Sequence, residues 1–139
     1  MKKVFEIKEL ANLPEAAKFL VELTKEFSHF CFEAPMGAGK TTLINEVCKQ
    51  LGIEEHTSSP TYSIVNEYEG GNNEKIYHFD LYRIKGEMEL LDIGIIEILE
   101  SESICFFEWP EKVMSYLSEK FVNLSIEVSG KSRIITITY

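Results

Sequence analysis

Arginine is almost missing from this chain: Arg83 and Arg133 are the only two, and 14 lysines and arginines face 23 acidic residues, giving a net charge of −9. A protein so short of clustered cations cannot displace the counterions of a polynucleotide on its own, so independent, electrostatically driven nucleic-acid binding is excluded. If RNA is involved, a partner protein holds it. Cysteine is scarce as well. Cys31, Cys48 and Cys105 are odd in number, lack C-x-x-C spacing and lie in apolar runs, which predicts reduced, buried thiols and a cytoplasmic address. No apolar run reaches the ~18 residues of a membrane span, and Met1 to Leu10 has no apolar h-region, so no membrane association is expected. Internal repeats and low-complexity segments are absent too. The 139 residues suit one domain, 1–139, large enough to bury a core.

What is present is concentrated in Ala34-Pro35-Met36-Gly37-Ala38-Gly39-Lys40-Thr41, between an apolar strand-like run (His29 to Glu33) and an amphipathic pattern with Leu43, Ile44, Val47, Cys48 and Leu51 on one helical face. A phosphate-binding loop needs small residues so that backbone N–H groups converge on phosphate oxygens. It also needs a lysine reaching the β- and γ-phosphates and a hydroxyl for Mg²⁺. Gly37, Ala38, Gly39, Lys40, Thr41 and Thr42 supply these parts at the start of a helix whose dipole favours an anion. Ala34 stands where the strict pattern has its first glycine, which alanine tolerates if φ stays negative. The competing explanation, a glycine-rich turn before a helix with a surface lysine, is weakened by the strand before and the helix after.

Elsewhere, Lys3 to Ile7 reads as an edge strand, and Asn12 and Pro14 open a helix over about 14–27. Tyr62 to Tyr68 and Lys75 to Phe79 read as strands joined through Gly70-Gly71-Asn72-Asn73. Gly94 splits Glu87 to Leu99 into one or two short helices. Ser103 to Phe107 is a buried strand stopped by Pro110, and Glu111 to Glu119 a helical turn or short helix. Val122 to Val128 and Arg133 to Tyr139 make a terminal hairpin. The expected fold is α/β: a P-loop NTPase-like three-layer domain with a mostly parallel central sheet, antiparallel edge strands and hairpins.

A P-loop gives Mg²⁺ one protein ligand; a carboxylate at a neighbouring strand end supports the metal shell, and another group orients the attacking water. Glu108, after Ile104-Cys105-Phe106-Phe107, and Asp80, after Ile76-Tyr77-His78-Phe79, are the candidates, since ligands bind at the carboxyl edge of such sheets. A solvated carboxylate at a strand terminus is the plain alternative for each. Ser59 and Thr61, on the loop after the P-loop helix, suit a segment that senses the γ-phosphate, with ordinary turn chemistry around Pro60 equally open. A strand histidine such as His78 is more often structural than catalytic, and Trp109 more often core than cofactor platform.

Met36-Gly37-Ala38-Gly39-Lys40-Thr41-Thr42, Ser59-Pro60-Thr61-Tyr62, His78-Phe79-Asp80-Leu81-Tyr82-Arg83 and Phe107-Glu108-Trp109-Pro110-Glu111-Lys112 occur in an order and spacing that resembles the TsaE (YjeE) family across nearly the whole chain. The resemblance implies a small ATPase that works with TsaD and TsaB in making N6-threonylcarbamoyladenosine at position 37 of tRNAs, an accessory subunit that meets tRNA only through the complex. It implies ATP and Mg²⁺ as cofactors, with phosphates cradled by Gly37 to Thr42 and by Lys40. Thr41 and Glu108 are implied at the metal, with Asp80 either beside it or positioning the water. Ser59 and Thr61 become a switch-like segment, and Asn12 and Arg133 contacts near the nucleotide. The resemblance departs at Ala34-Pro35-Met36, where family members carry Gly-Asp or similar before the Leu-Gly-Ala-Gly-Lys core. With no arginine finger evident, basal hydrolysis is expected to be slow. Two rivals stay open: a P-loop small-molecule kinase, disfavoured by two arginines and no lid-sized insertion, and a nucleotide-gated binding module with negligible turnover.

Overall fold

A computed structural model describes residues 1–58, 60 and 64–139. Seven strands form one mixed sheet: β1 Lys2–Ile7, β2 His29–Glu33, β3 Val65–Glu69, β4 Lys75–Asp80, β5 Ile104–Glu108, β6 Val122–Ser129 and β7 Ser132–Thr138, in the order β1-β7-β6-β2-β5-β4-β3. The four central strands, β6, β2, β5 and β4, run parallel. β3 on one side and β7 then β1 on the other pair antiparallel. The central strands read as near-continuous apolar runs because helices cover both of their faces, as parallel sheets require.

Side chains alternate across the sheet and divide the core in two. On one face Phe30, Phe32 and Phe106 meet Leu20, Leu43, Ile44 and Val47 of two helices, α1 Leu13–Leu23 and α2 Lys40–Gln50. On the other, Cys31, Phe79 and Phe107 pack beneath Leu90 and Ile95 of α3 Glu87–Asp92 and α4 Ile95–Glu100. Phe79 and Phe107 stack at 4.8 Å. Each fully buried phenylalanine stabilises the fold by roughly 2–3 kcal/mol, so the β2–β5 pair is held firmly from both sides.

Several boundaries differ from the sequence expectation. α1 stops at Leu23, not about residue 27, because the Thr24 hydroxyl donates to the Val21 carbonyl at 2.6 Å and tightens the last turn; Phe27 still packs against the first core cluster. Asn12 does not cap α1 with its side chain. Its Oδ1 accepts from the backbone N–H of Lys8 and of Glu9, both at 3.1 Å, closing the 3₁₀ turn Leu10–Asn12. The expected strand from Tyr62 begins at Val65 within the described residues. Gly94, at φ 79, separates α3 from α4, giving two helices. After β5 the chain makes two 3₁₀ turns, Pro110–Lys112 and Met114–Tyr116, in place of a helix over 111–119. The glycine-rich β3–β4 turn docks on the end of α2, where the Gly71 N–H donates to the Leu51 carbonyl at 3.0 Å.

Candidate functional site

The loop Ala34–Gly39 leaves β2 at its carboxyl end and turns directly into α2, whose first residue is Lys40. Gly37 and Gly39 have φ of 77° and 105°, and a Cβ added to either would meet nothing within 4 Å. Only glycine adopts such angles at little cost, and the space beside them is open, as a loop that presents backbone amides to a ligand requires. Ala34 is absent from the positive-φ residues, so alanine sits in the glycine position without backbone strain.

Parallel register places Glu108 of β5 beside Phe32 of β2 and Asp80 of β4 beside Glu108, so both acids stand at the carboxyl edge on the face that carries α2. A cavity of about 350 Å³ opens there, lined by Met36, Gly37, Gly39, Lys40, Thr41, Thr42, Asp80, Glu108 and Trp109. Glu108 is 4 % exposed and Lys40 6 %, whereas Asp80 is half-buried, its Oδ1 accepting from the Tyr82 N–H at 3.1 Å. Sheet position delivers the two carboxylates, and the start of α2 the lysine, to the walls of one cavity.

Lys40 is a buried cation. Its Nζ donates to the Ala34 carbonyl at 3.0 Å and sits 3.9 Å from the centre of the Trp109 ring. Among the described residues no carboxylate lies within ion-pair distance of it. Burial pushes the ammonium below its usual range, and the fields of Glu108, Asp80 and Glu111 pull it back up. A desolvated cation held by a carbonyl and an aromatic face is suited to exchange those contacts for an anion. The aromatic shelf is itself fixed: Trp109 has φ 57° and leans on Tyr82 at 5.0 Å between ring centres.

Inside the cavity wall, His78 Nε2 and Glu108 Oε2 are 2.7 Å apart, both side chains buried. Neither this bond nor the Lys40–Trp109 contact has a local sequence signal, because each depends on which strands become neighbours. The oxygen atoms of Thr41, Asp80 and Glu108 are the hard donors that Mg²⁺ takes. No group of three His, Cys, Asp or Glu residues able to hold a metal occurs among the described residues. That donor set fits an ion that brings most of its own oxygen ligands on phosphates and water.

A second cavity of about 340 Å³ shares Gly37, Gly39 and Thr42 with the first and extends to Lys8 and Leu13 on one side and Lys131 and Arg133 of the β6–β7 hairpin on the other. Arg133 Nε donates to the Ala38 carbonyl at 3.2 Å, tying that hairpin to the loop. Lys8 and Lys131 were not among the residues expected at the site; isolated lysines carry no local signal. Asn12 lines neither cavity, since its amide oxygen is spent on the turn before α1. Ser59 and Thr61 lie outside the described residues.

The family model described as threonylcarbamoyl adenosine biosynthesis protein TsaE matches residues 7–135. A tRNA threonylcarbamoyladenosine biosynthesis protein TsaE from Haemophilus influenzae is 36 % identical over 120 residues, covering 86 % of this chain and 75 % of the relative. Its counterpart from Bacillus subtilis is 33 % identical over 130 residues, covering 90 % and 80 %. In three dimensions the chain is similar to the crystal structure of Bacillus subtilis YdiB, with a TM-score of 0.71 at 24 % identity over 99 % of this chain and 84 % of that one. With the glycine loop, the paired strand-end acids and a family match running from β1 into β7, this chain belongs to the TsaE family.

Proposed function

We propose that this chain is a P-loop NTPase-like ATPase that binds ATP with Mg²⁺ across the two adjoining cavities and hydrolyses it slowly, as an accessory subunit in tRNA N6-threonylcarbamoyladenosine modification. The observation that carries the reading is a buried lysine at the head of α2, facing two strand-end carboxylates across a glycine loop. The triphosphate lies along Gly37 to Thr42, with the Lys40 ammonium exchanging the Ala34 carbonyl for phosphate oxygens. Thr41 and Glu108 would hold Mg²⁺, which supplies charge neutralisation at the phosphates. The base and ribose occupy the second cavity, beside Leu13, Lys131 and Arg133.

Chemistry then needs water in line with the γ-phosphorus and charge stabilisation on the equatorial oxygens. Lys40 and the loop amides provide the second; Asp80, half-buried at the rim and less enclosed than Glu108, orients the water. The chain has only two arginines, and Arg133 Nε is engaged with the loop carbonyl of Ala38, which supports slow basal turnover. Partner proteins TsaD and TsaB would accelerate it, and they rather than this acidic chain would hold the tRNA. The names of the relatives support the pathway.

Phosphate release measured with and without the TsaB–TsaD pair tests the proposal. Turnover that the pair stimulates, and that Glu108→Ala removes while ATP binding largely persists, is the expected result. ATP-dependent docking with no stimulation of hydrolysis would reassign the chain as a nucleotide-gated binding module.

A further inference from the structure

The His78–Glu108 contact is costly in a way that fold stability does not explain. A buried polar contact of this kind is often neutral or unfavourable beside well-packed apolar residues of the same shape. Here it sits on the sheet face that also carries Phe30, Phe32 and Phe106, all fully buried. His78 itself is 0 % exposed, and its second ring nitrogen, Nδ1, is buried without a partner. An apolar side chain at 78 would remove that orphan. What the imidazole adds is reach. In the β4–β5 ladder His78 lies opposite Phe106 and Asp80 opposite Glu108, so His78 is one same-face step behind Glu108 on the neighbouring strand. With strands about 4.8 Å apart and a two-residue step of about 6.6 Å, such neighbours stand roughly 8 Å apart, a gap that a ring nitrogen at the far end of the side chain can cross. Against a carboxylate the Nε2 atom has to be the donor.

We propose that His78 is a positioning residue for Glu108, its Nε2–H anchoring Oε2 so that the carboxylate is presented to the Lys40–Thr41 side of the cavity in one orientation. The inference rests on the reading of that cavity as a magnesium–triphosphate site. Both metal support and water orientation depend on the plane of the Glu108 carboxylate, and the bond to His78 fixes the position of one of its two oxygens. The neighbour Asp80 is steadied differently, by the Tyr82 backbone N–H. Two adjacent acids thus have separate anchors, one inside the sheet and one at its rim.

Two substitutions separate positioning from mere packing. His78→Leu fills the space without a donor, and His78→Gln places an amide N–H where Nε2 now lies. The expected result is ATP affinity within about twofold of wild type for both, turnover lowered roughly 10–100-fold in His78→Leu, the range for loss of an outer-shell partner, and most of that loss recovered in His78→Gln. A readout independent of activity is the side-chain ¹⁵N spectrum of unliganded wild-type protein, which should show His78 as the Nε2–H tautomer, with its signals shifted in Glu108→Gln. Should His78→Leu fail to fold, His78→Gln and this spectrum still decide the matter. An Nδ1–H tautomer, a His78→Leu variant as active as wild type, or a Gln variant as impaired as Leu overturns the inference. Wild-type protein that neither binds nor hydrolyses ATP would instead bring down the ATPase reading, and this inference with it.

Discussion

Replacing Lys40 with methionine keeps most of the length of the side chain and removes its charge, and the structure sets what the loss is worth. In the free protein the ammonium has a carbonyl hydrogen bond and an indole face, and it is buried to the point that its protonated form is disfavoured relative to the unfolded chain. Removing a cation whose burial is unfavourable offsets the loss of the carbonyl hydrogen bond and of a cation–π contact of about 1 kcal/mol, so folding stability should change little. Binding responds strongly. One phosphate charge about 4 Å from the ammonium contributes about 4 kcal/mol at an effective dielectric near 20. Subtracting the indole contact given up leaves about 3 kcal/mol, or roughly a 100-fold weaker Kd. Calorimetric titration with ATP and Mg²⁺, paired with thermal unfolding of the free protein, reads both numbers. A variant that binds within threefold of wild type, or that melts many degrees lower, would show that Lys40 serves the fold and refute the reasoning.

Trp109 is the only tryptophan in the chain and has the Lys40 cation against its face. Its emission should therefore change when ATP draws the lysine away, and the change should vanish in Lys40→Met; identical responses in both proteins would contradict it. Gly52→Ala should destabilise the fold by about 2–4 kcal/mol in a denaturant titration. Gly52 has φ +85°, and a Cβ there would lie 2.9 Å from the Gly71 backbone. An alanine variant as stable as wild type would show that the β3–β4 turn shifts at no cost. Burial pushes the thiols of Cys31, Cys48 and Cys105 up to about 12. Their contribution to stability is therefore complete below the ordinary thiol range near 9 and is lost as pH rises from there toward 12. At pH 8 the native protein should resist alkylation that the unfolded chain undergoes readily, and fast labelling of native protein would count against buried thiols.

The parts of the site that were legible in the sequence are those written in consecutive residues. Gly37 to Thr42 declares a loop, a lysine and a helix start without help from the rest of the chain, and Ile104 to Phe107 declares a strand buried on both faces. Glu108 and Asp80 followed because an acid ending such a strand must emerge at the sheet's carboxyl edge. What stayed hidden depends on strand order. Nothing local says that β5 lies between β2 and β4, so the bond from His78 to Glu108 and the indole beneath Lys40 could not be read. The second cavity is similar: Lys8, Lys131 and Arg133 come together only because β7 pairs with β1 and brings the last hairpin over the loop. Asn12 stands at the expected N-cap position of α1, but its amide oxygen accepts from two backbone N–H groups of the preceding turn instead of capping the helix, a choice that no local pattern announces.

Titration of the purified chain with ATP, in the presence and absence of Mg²⁺, tests the central claim most directly. Saturable binding that strengthens with Mg²⁺ and collapses in Lys40→Met is the predicted result. No heat from wild-type protein at millimolar ATP and Mg²⁺ would contradict the account.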